Sequence, residues 1–252
     1  MQPGRKIYFA SDMHLGSDAF ENPSDAEKRF VRWLDSIKGN ASALYLLGDV
    51  FDFWFEYKRV IPRGFTRFLG KIAEMSDAGI EIHFFTGNHD IWVRDYLSRE
   101  TGMIVHREPF RTQINGKTFY LAHGDGLGDD SRSFKLIRWI FHNRLCRILF
   151  AALHPYWGVG FGYAWSKHSR KKKMIDAAPY LGENKEHLVL YAKEYIRKYS
   201  GTDYLIFGHR HILLDLMLSP QSRMMIIGDW LQYFSYAVFD GETLSLEQFE
   251  SE

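Results

Sequence analysis

Short apolar runs alternate with longer amphipathic stretches through the N-terminal third of the chain. Lys6–Ala10, Ala43–Leu47 and Glu81–Phe85 are too short for an amphipathic helix and too uniformly apolar for a loop, so they read as buried strands. Between them, Ser24–Ile37 gathers Phe30, Val31 and Leu34 on one helical face. Pro62–Ala78 opens on a proline suited to a first helical turn and carries Phe65, Phe68, Leu69 and Ile72 on one stripe. A strand–helix–strand–helix–strand order argues for parallel pairing through helical crossovers.

The pattern then changes. Phe110–Ile114 and Lys117–Ala122 flank Asn115-Gly116, which predicts a hairpin with a type I′ turn. Tyr204–Phe207 and Met224–Ile227 read as further strands, and Tyr236–Phe239 with Leu244–Phe249 closes the chain as a hairpin across Asp240-Gly241. The expected fold class is α/β, a layered sandwich of mixed sheets with helices on the outer faces, in one domain spanning 1–252.

Residues 131–182 break this rhythm and read as a helical cap insert. Ile137, Ile140, Phe141, Leu145, Ile148, Leu149 and Ala152 follow helical spacing, with Lys135, Arg138, His142 and Arg147 taking much of the other side. An aromatic and glycine-rich stretch, Pro155–Trp165, follows, and then the basic run Arg170-Lys171-Lys172-Lys173. Trp139, Phe141, Phe150, Trp157, Phe161 and Trp165 are candidates to line an apolar cavity or, alternatively, to pack as core. The basic run is equally at home as a solvated helix face.

Composition sharpens this picture at three points. A net charge of +1 gives little support for a nucleic-acid partner. A single cysteine, Cys146, excludes an internal disulfide and fits a reducing compartment. The N-terminal Met1–Lys6 lacks the apolar core of a signal peptide, and no apolar run is long enough to span a bilayer, so a cytoplasmic protein is expected.

Five blocks carry the chemistry: Asp12-Met13-His14, Gly48-Asp49, Gly87-Asn88-His89-Asp90, His123-Gly124-Asp125 and Gly208-His209-Arg210-His211. Each adjoins a strand, so the side chains can converge at one end of a sheet. A lone Asp-x-His or Gly-Asp is commonplace on surface loops; the joint order is what points to a site. Carboxylate, amide and imidazole donors suit hard or borderline divalent ions, with Mn²⁺ favoured and Fe²⁺ or Zn²⁺ as alternatives. Asp12 and His14 in an extended segment would face one side, and Asp49 has two oxygens with which to bridge two ions.

The blocks resemble the calcineurin-like metallophosphoesterase superfamily, over nearly the whole chain outside the insert. The resemblance implies a four-layer α/β/β/α sandwich and two divalent ions. One would be held by Asp12, His14, Asp49 and His211, the other by Asp49, Asn88, His123 and His209. It also implies catalytic roles for His89, as a donor to the phosphoryl or leaving oxygens, and for Asp90, orienting its ring. Asp52 and Asp125 are expected as supporting or turn residues.

Gly48-Asp49-Val50-Phe51-Asp52-Phe53-Trp54 and His123-Gly124-Asp125-Gly126-Leu127, followed by Asp129-Asp130 and a helical insert, are similar to the UDP-2,3-diacylglucosamine pyrophosphatases of lipid A synthesis in Gram-negative bacteria. That resemblance implies cleavage of a lipid-linked UDP-sugar to UMP and an acylated sugar 1-phosphate at the inner-membrane surface. Substrate contacts would come from Asn88, His89, Asp130, Ser166, Arg170, Lys173 and His209. Two departures stand out: His89 replaces the arginine of well-known members, and Ile212-Leu213 replaces a basic residue and proline. The alternatives are a soluble phosphodiesterase or nuclease of the same superfamily, or a non-enzymatic peripheral membrane scaffold on the same fold.

Overall fold

The computed structural model describes residues 4–20, 22–129, 131–175 and 180–249. The elements run β1 Lys6–Ala10, α1 Pro23–Ile37, β2 Ala41–Leu47, α2 Thr66–Asp77, β3 Glu81–Phe85, α3 Tyr96–Thr101, β4 Ile104–His106, β5 Phe110–Ile114 and β6 Lys117–Ala122. Then come α4 Arg132–His142, α5 Arg144–Ala151, α6 Pro155–Ile175, α7 His187–Lys198, β7 Tyr204–Phe207, β8 Leu213–Met217, β9 Arg223–Ile227, β10 Ser235–Phe239 and β11 Leu244–Gln248.

Two mixed sheets result. The first has the order β11-β10-β1-β2-β3-β4, parallel from β1 to β4 and antiparallel at β10 and β11. The second has the order β5-β6-β7-β9-β8, parallel across β6, β7 and β9 with antiparallel edges. Alternation along β1 explains why its sequence is apolar throughout. Ile7 and Phe9 face the space between the sheets with Tyr45, Phe119 and Phe239, while Tyr8 and Ala10 face α1 and α2 with Trp33, Phe30 and Phe68. On the far side, Leu188, Val189 and Ala192 of α7 cover Tyr120, Leu205 and Phe207. The layers are therefore α/β/β/α, and each fully buried aromatic contributes on the order of 2–3 kcal/mol of transfer free energy.

The boundaries depart from the sequence reading at α2. Pro62 does not open this helix. Phe65 sits at its N-cap with φ 62° and supplies no side-chain cap. The carboxylate of Glu27, from α1, accepts from Arg67 N (2.9 Å) and Phe68 N (3.0 Å) instead. Glu56 does the same for α3, accepting from Arg94, Asp95 and Tyr96 N–H groups. The helical spacing from Ile137 to Ala152 is carried by two helices, because Asn143 breaks the ladder and caps α5 through Leu145 N (2.8 Å) and Cys146 N. The hairpin turn is as expected, with φ 48° at Asn115 and 79° at Gly116.

Candidate metal centre

The parallel strands β1, β2, β3, β6 and β7 all deliver their C-terminal ends to one edge of the sandwich, where loops of α/β sheets gather functional groups. The backbone there is unusual. Among the described residues, eight non-glycine positions have positive φ: Asp12, His14, Asp49, Phe65, Asn115, His209, His211 and Phe234. Five of them are expected metal ligands. Left-handed backbone at non-glycine residues costs on the order of 1–3 kcal/mol each and persists where surrounding structure holds it. Asp12 and His14 therefore do not reach the site from an extended segment, as the sequence suggested; both turn into it through left-handed φ.

Hydrogen bonds knit the loops. Asp12 N donates to Gly48 O (3.1 Å), His14 N to Asp49 O (3.0 Å) and Gly208 N to His123 O (2.9 Å). Asp12 Oδ2 accepts from His209 N at 2.9 Å, and Asp49 Oδ1 accepts from His89 N at 2.9 Å. Each carboxylate spends one oxygen on the scaffold and turns the other inward. Asp12 Oδ1, Asp49 Oδ2 and Asn88 Oδ1 are buried without a hydrogen-bond partner among the described residues. Buried carboxylate and amide oxygens left this way are costly unless a cation takes them. Gly208 allows this approach, since a Cβ there would stand 2.5 Å from Asp12 Oδ2.

Imidazoles complete the set. His123 Nε2 lies 3.4 Å from Asp49 Oδ2, its Nδ1 being 2.8 Å from Leu47 O. His211 Nε2 lies 3.3 Å from Asp12 Oδ1, with Nδ1 2.9 Å from Asp229 Oδ2. His14 Nε2 is 3.7 Å from Asp49 Oδ2, and its Nδ1 is 3.4 Å from Asp52 Oδ1. His209 Nδ1 is 3.3 Å from His123 Nε2. Donor atoms cluster as Asp12–His14–His211 and Asp49–His123–His209, with His89 joining His14 and Asp49 in a third group. The donor chemistry and the inward-turned oxygens fit a pair of divalent cations sharing Asp49.

The electrostatics follow from burial. Desolvation raises Asp12 above the usual carboxylate range, against the pull of His211 and His123. Burial would raise Asp49 too, but the charges of His123, His89 and His14 hold it well below. Burial depresses His123, yet Asp49 and Asp12 outweigh it and push the ring up to about 10. A proton held on such a ring is one that a cation displaces on binding.

Asp90 has a different place from the one expected. Its oxygens accept from Gly87 N (2.7 Å), Val50 N (2.8 Å) and Phe51 N (3.3 Å), so it ties the third block to the second rather than orienting His89. Burial and the nearby Asp49 charge push it up to about 7. The His89 ring is held by Asp52 O (2.8 Å) and Ser166 Oγ (3.0 Å), both at Nδ1. Asp229, which orients His211, was missed in the sequence, although Gly228-Asp229 after β9 repeats the Gly-Asp signature of the second block. Asp125 is a turn residue whose carbonyl accepts from Arg138 of α4.

Helices α4–α6 lie beside the centre. Phe141 and Phe150 pack on Trp92, whose indole N–H donates to Phe141 O (2.9 Å), and Phe150 also meets Phe55. Those two are core. Trp139 (61% exposed), Trp157 (69%), Phe161 and Trp165 are not, and Leu136, Leu145 and Leu149 join them on the surface. A cleft of about 250 Å³, lined by Gly16, Asp18, Asp52, Tyr163, Ala164 and Lys167, separates α6 from the first ligand loop. Asp130 lies outside the described residues. Arg170 and Lys173 fall on α6, with side chains outside the described set. Among the described residues, no helix is long and apolar enough to cross a membrane.

Residues 5–213 match the family model of calcineurin-like phosphoesterases. A UDP-2,3-diacylglucosamine hydrolase of Porphyromonas gingivalis is 48% identical, the match covering 97% of this chain and 98% of that protein. Proteins of the same name from Ectopseudomonas mendocina (30% identical; 97% and 98% covered) and Neisseria meningitidis (28%; 94% and 95%) are also similar along nearly their whole length.

Proposed function

Because this chain belongs to the calcineurin-like phosphoesterase family, we propose that its loop edge is a dinuclear centre hydrolysing the pyrophosphate of UDP-2,3-diacylglucosamine, giving UMP and 2,3-diacylglucosamine 1-phosphate in lipid A synthesis. The observation that carries this is the pairing of inward-turned oxygens on Asp12, Asp49 and Asn88 with four imidazoles, in a chain alike end to end with hydrolases of that name.

Asp12, His14, Asp49 and His211 would hold one divalent ion and Asp49, Asn88, His123 and His209 the other. Manganese is the reading for both, since each set includes carboxylate or amide oxygens that suit it, and the imidazoles keep iron and zinc as the alternatives. Such a pair supplies Lewis acidity and a hydroxide nucleophile at neutral pH. The chain's own part is positional. Asp49 and Asp12 are fixed by backbone N–H groups, so the site needs little reorganisation as charge builds during attack at the uridylyl phosphorus. His89 turns Nε2 toward the centre, 4.0 Å from Asp49 Oδ2, where the ring, when it carries a proton on each nitrogen, donates a hydrogen bond to the phosphoryl oxygens or the leaving lipid phosphate.

The 131–182 segment is read as a cap over the acyl chains, with Trp139, Trp157 and Phe161 meeting lipid. Large exposed apolar surface beside a charged centre supports a substrate that is polar in the middle and oily at the end. The same surface supports peripheral attachment to the cytoplasmic face of the inner membrane. Arg170, Lys173 and Asp130 remain proposed substrate contacts, whereas Ser166, buried with its Oγ 3.0 Å from His89 Nδ1, serves that ring instead.

Purified UDP-2,3-diacylglucosamine, Mn²⁺ and the protein, followed by phosphorus NMR, test the reading. Release of UMP and a lipid monophosphate is the expected result. Turnover of generic phosphodiesters with no UMP release would leave the family standing and the substrate refuted.

A further inference from the structure

Helix α6 comes nearer to the core than an ordinary side-chain surface permits. A Cβ on Gly158 would lie 2.1 Å from the Tyr57 hydroxyl, and one on Gly162 would lie 2.3 Å from Phe53 Cζ. These glycines are four residues apart and share a helix face, and Ser166 is the next position on it. Ser166 is buried (2% exposed), and its Oγ sits 3.0 Å from His89 Nδ1. The same nitrogen is 2.8 Å from the carbonyl oxygen of Asp52. A carbonyl accepts and cannot donate, so Nδ1 carries the proton and the serine oxygen is its second acceptor. With Nδ1 committed, Nε2 is the ring atom facing Asp49, and the ring meets that of His14 nearly at right angles, 87°.

The geometry points to Ser166 as a positioning residue for His89, through which docking of α6 is read at the reaction centre. One acceptor at Nδ1 belongs to the core loop and the other to the cap. A seated α6 gives Nδ1 both acceptors; a lifted α6 takes the serine away from it. The close approach of Gly158 and Gly162 is what brings the short serine side chain within reach. This rests on the phosphoesterase reading of the centre, not on the identity of the natural substrate.

Ser166→Ala, His89→Ala and the double variant test it, assayed on UDP-2,3-diacylglucosamine and on bis(p-nitrophenyl) phosphate. The second substrate needs the centre but neither a nucleotide nor acyl chains. Ser166→Ala is expected to lower kcat on the diester about tenfold, the scale of one buried hydrogen bond, with KM within about twofold and bound metal unchanged. In the His89→Ala background it is expected to cause no further loss, because the two residues act as a unit. A raised KM with kcat intact, or an undiminished loss in the His89→Ala background, would overturn the proposal and make Ser166 a substrate contact. Nitrogen-15 NMR of the imidazoles gives a readout free of turnover: the His89 Nδ1–H signal shifts in Ser166→Ala if the contact exists, and an unmoved signal refutes it. Diester turnover without UMP release would count against the substrate alone.

Discussion

Gly87→Ala adds one methyl group where the centre has no room for it. The new Cβ would stand 2.2 Å from Asp49 Oδ1 and 2.5 Å from the Asp49 amide nitrogen. Carbon needs roughly 3.4 Å or more from such atoms, so Asp49 or the Gly87 loop must give by about 1 Å. Asp49 has little freedom to do so. Its Oδ1 accepts from His89 N (2.9 Å), its carbonyl accepts from His14 N (3.0 Å), and its φ of 51° is already strained. Overpacking of this kind costs about 1–3 kcal/mol, which corresponds to a Tm lower by roughly 2–10 °C in a chain of this size. Activity is expected to suffer more, about 100-fold in kcat/KM, since a displacement of about 1 Å at a reacting centre has that effect. Steady-state kinetics with Mn²⁺, thermal melts and metal analysis by mass spectrometry check it together. Kinetics within threefold of wild type at full metal content would refute the claim that the position of Asp49 governs the site.

Three further outcomes are expected. Asp229→Ala leaves His211 without its Nδ1 partner and is expected to weaken metal binding or activity about 10- to 100-fold, measured by titration with Mn²⁺. Asp90→Ala strands the N–H groups of Gly87, Val50 and Phe51, so urea denaturation is expected to show a loss of about 2–4 kcal/mol, larger than for His89→Ala. The histidine pair between β3 and β4 makes stability acid-sensitive. His83 Nδ1 and His106 Nε2 lie 2.8 Å apart, packed between Tyr45 and Phe110, and burial lowers both, His106 to about 4. Above pH about 6.5 neither folded nor unfolded state binds the proton; between about 6.5 and 4 only the unfolded chain does, so stability falls as pH falls and levels off below about 4. With His106 only partly buried, the loss is on the order of 1–2 kcal/mol. His106→Asn is expected to flatten that slope in denaturation curves, and an unchanged slope would exclude the pair as its source.

Much of the layered fold lay open in the sequence because β1, β2, β3, β6 and β7 are buried on both faces and so read as uninterrupted apolar runs ending in ligand blocks. What stayed hidden depends on contacts remote in the chain. The true start of α2 is set by Glu27, about 40 residues away, so the local signal at Pro62 misled. Strands β4 and β8 lie at sheet edges, where β8 mixes exposed and half-buried positions and gives no continuous apolar run. The break at Asn143 was written as a cap residue inside an apparently continuous stripe. In the site, residue types and order announced the donors, but not the left-handed backbone that aims Asp12, Asp49 and His211, nor the exchange by which Asp90 serves the scaffold while Ser166 and Asp52 hold His89.

The most direct test is a crystal structure grown with Mn²⁺ and measured at the manganese absorption edge. The account predicts two anomalous peaks about 3.5–4 Å apart, with Asp49 Oδ2 bonded to both and the second oxygen of each knitting carboxylate still on its backbone partner. A single peak, or two that do not share Asp49, would contradict it.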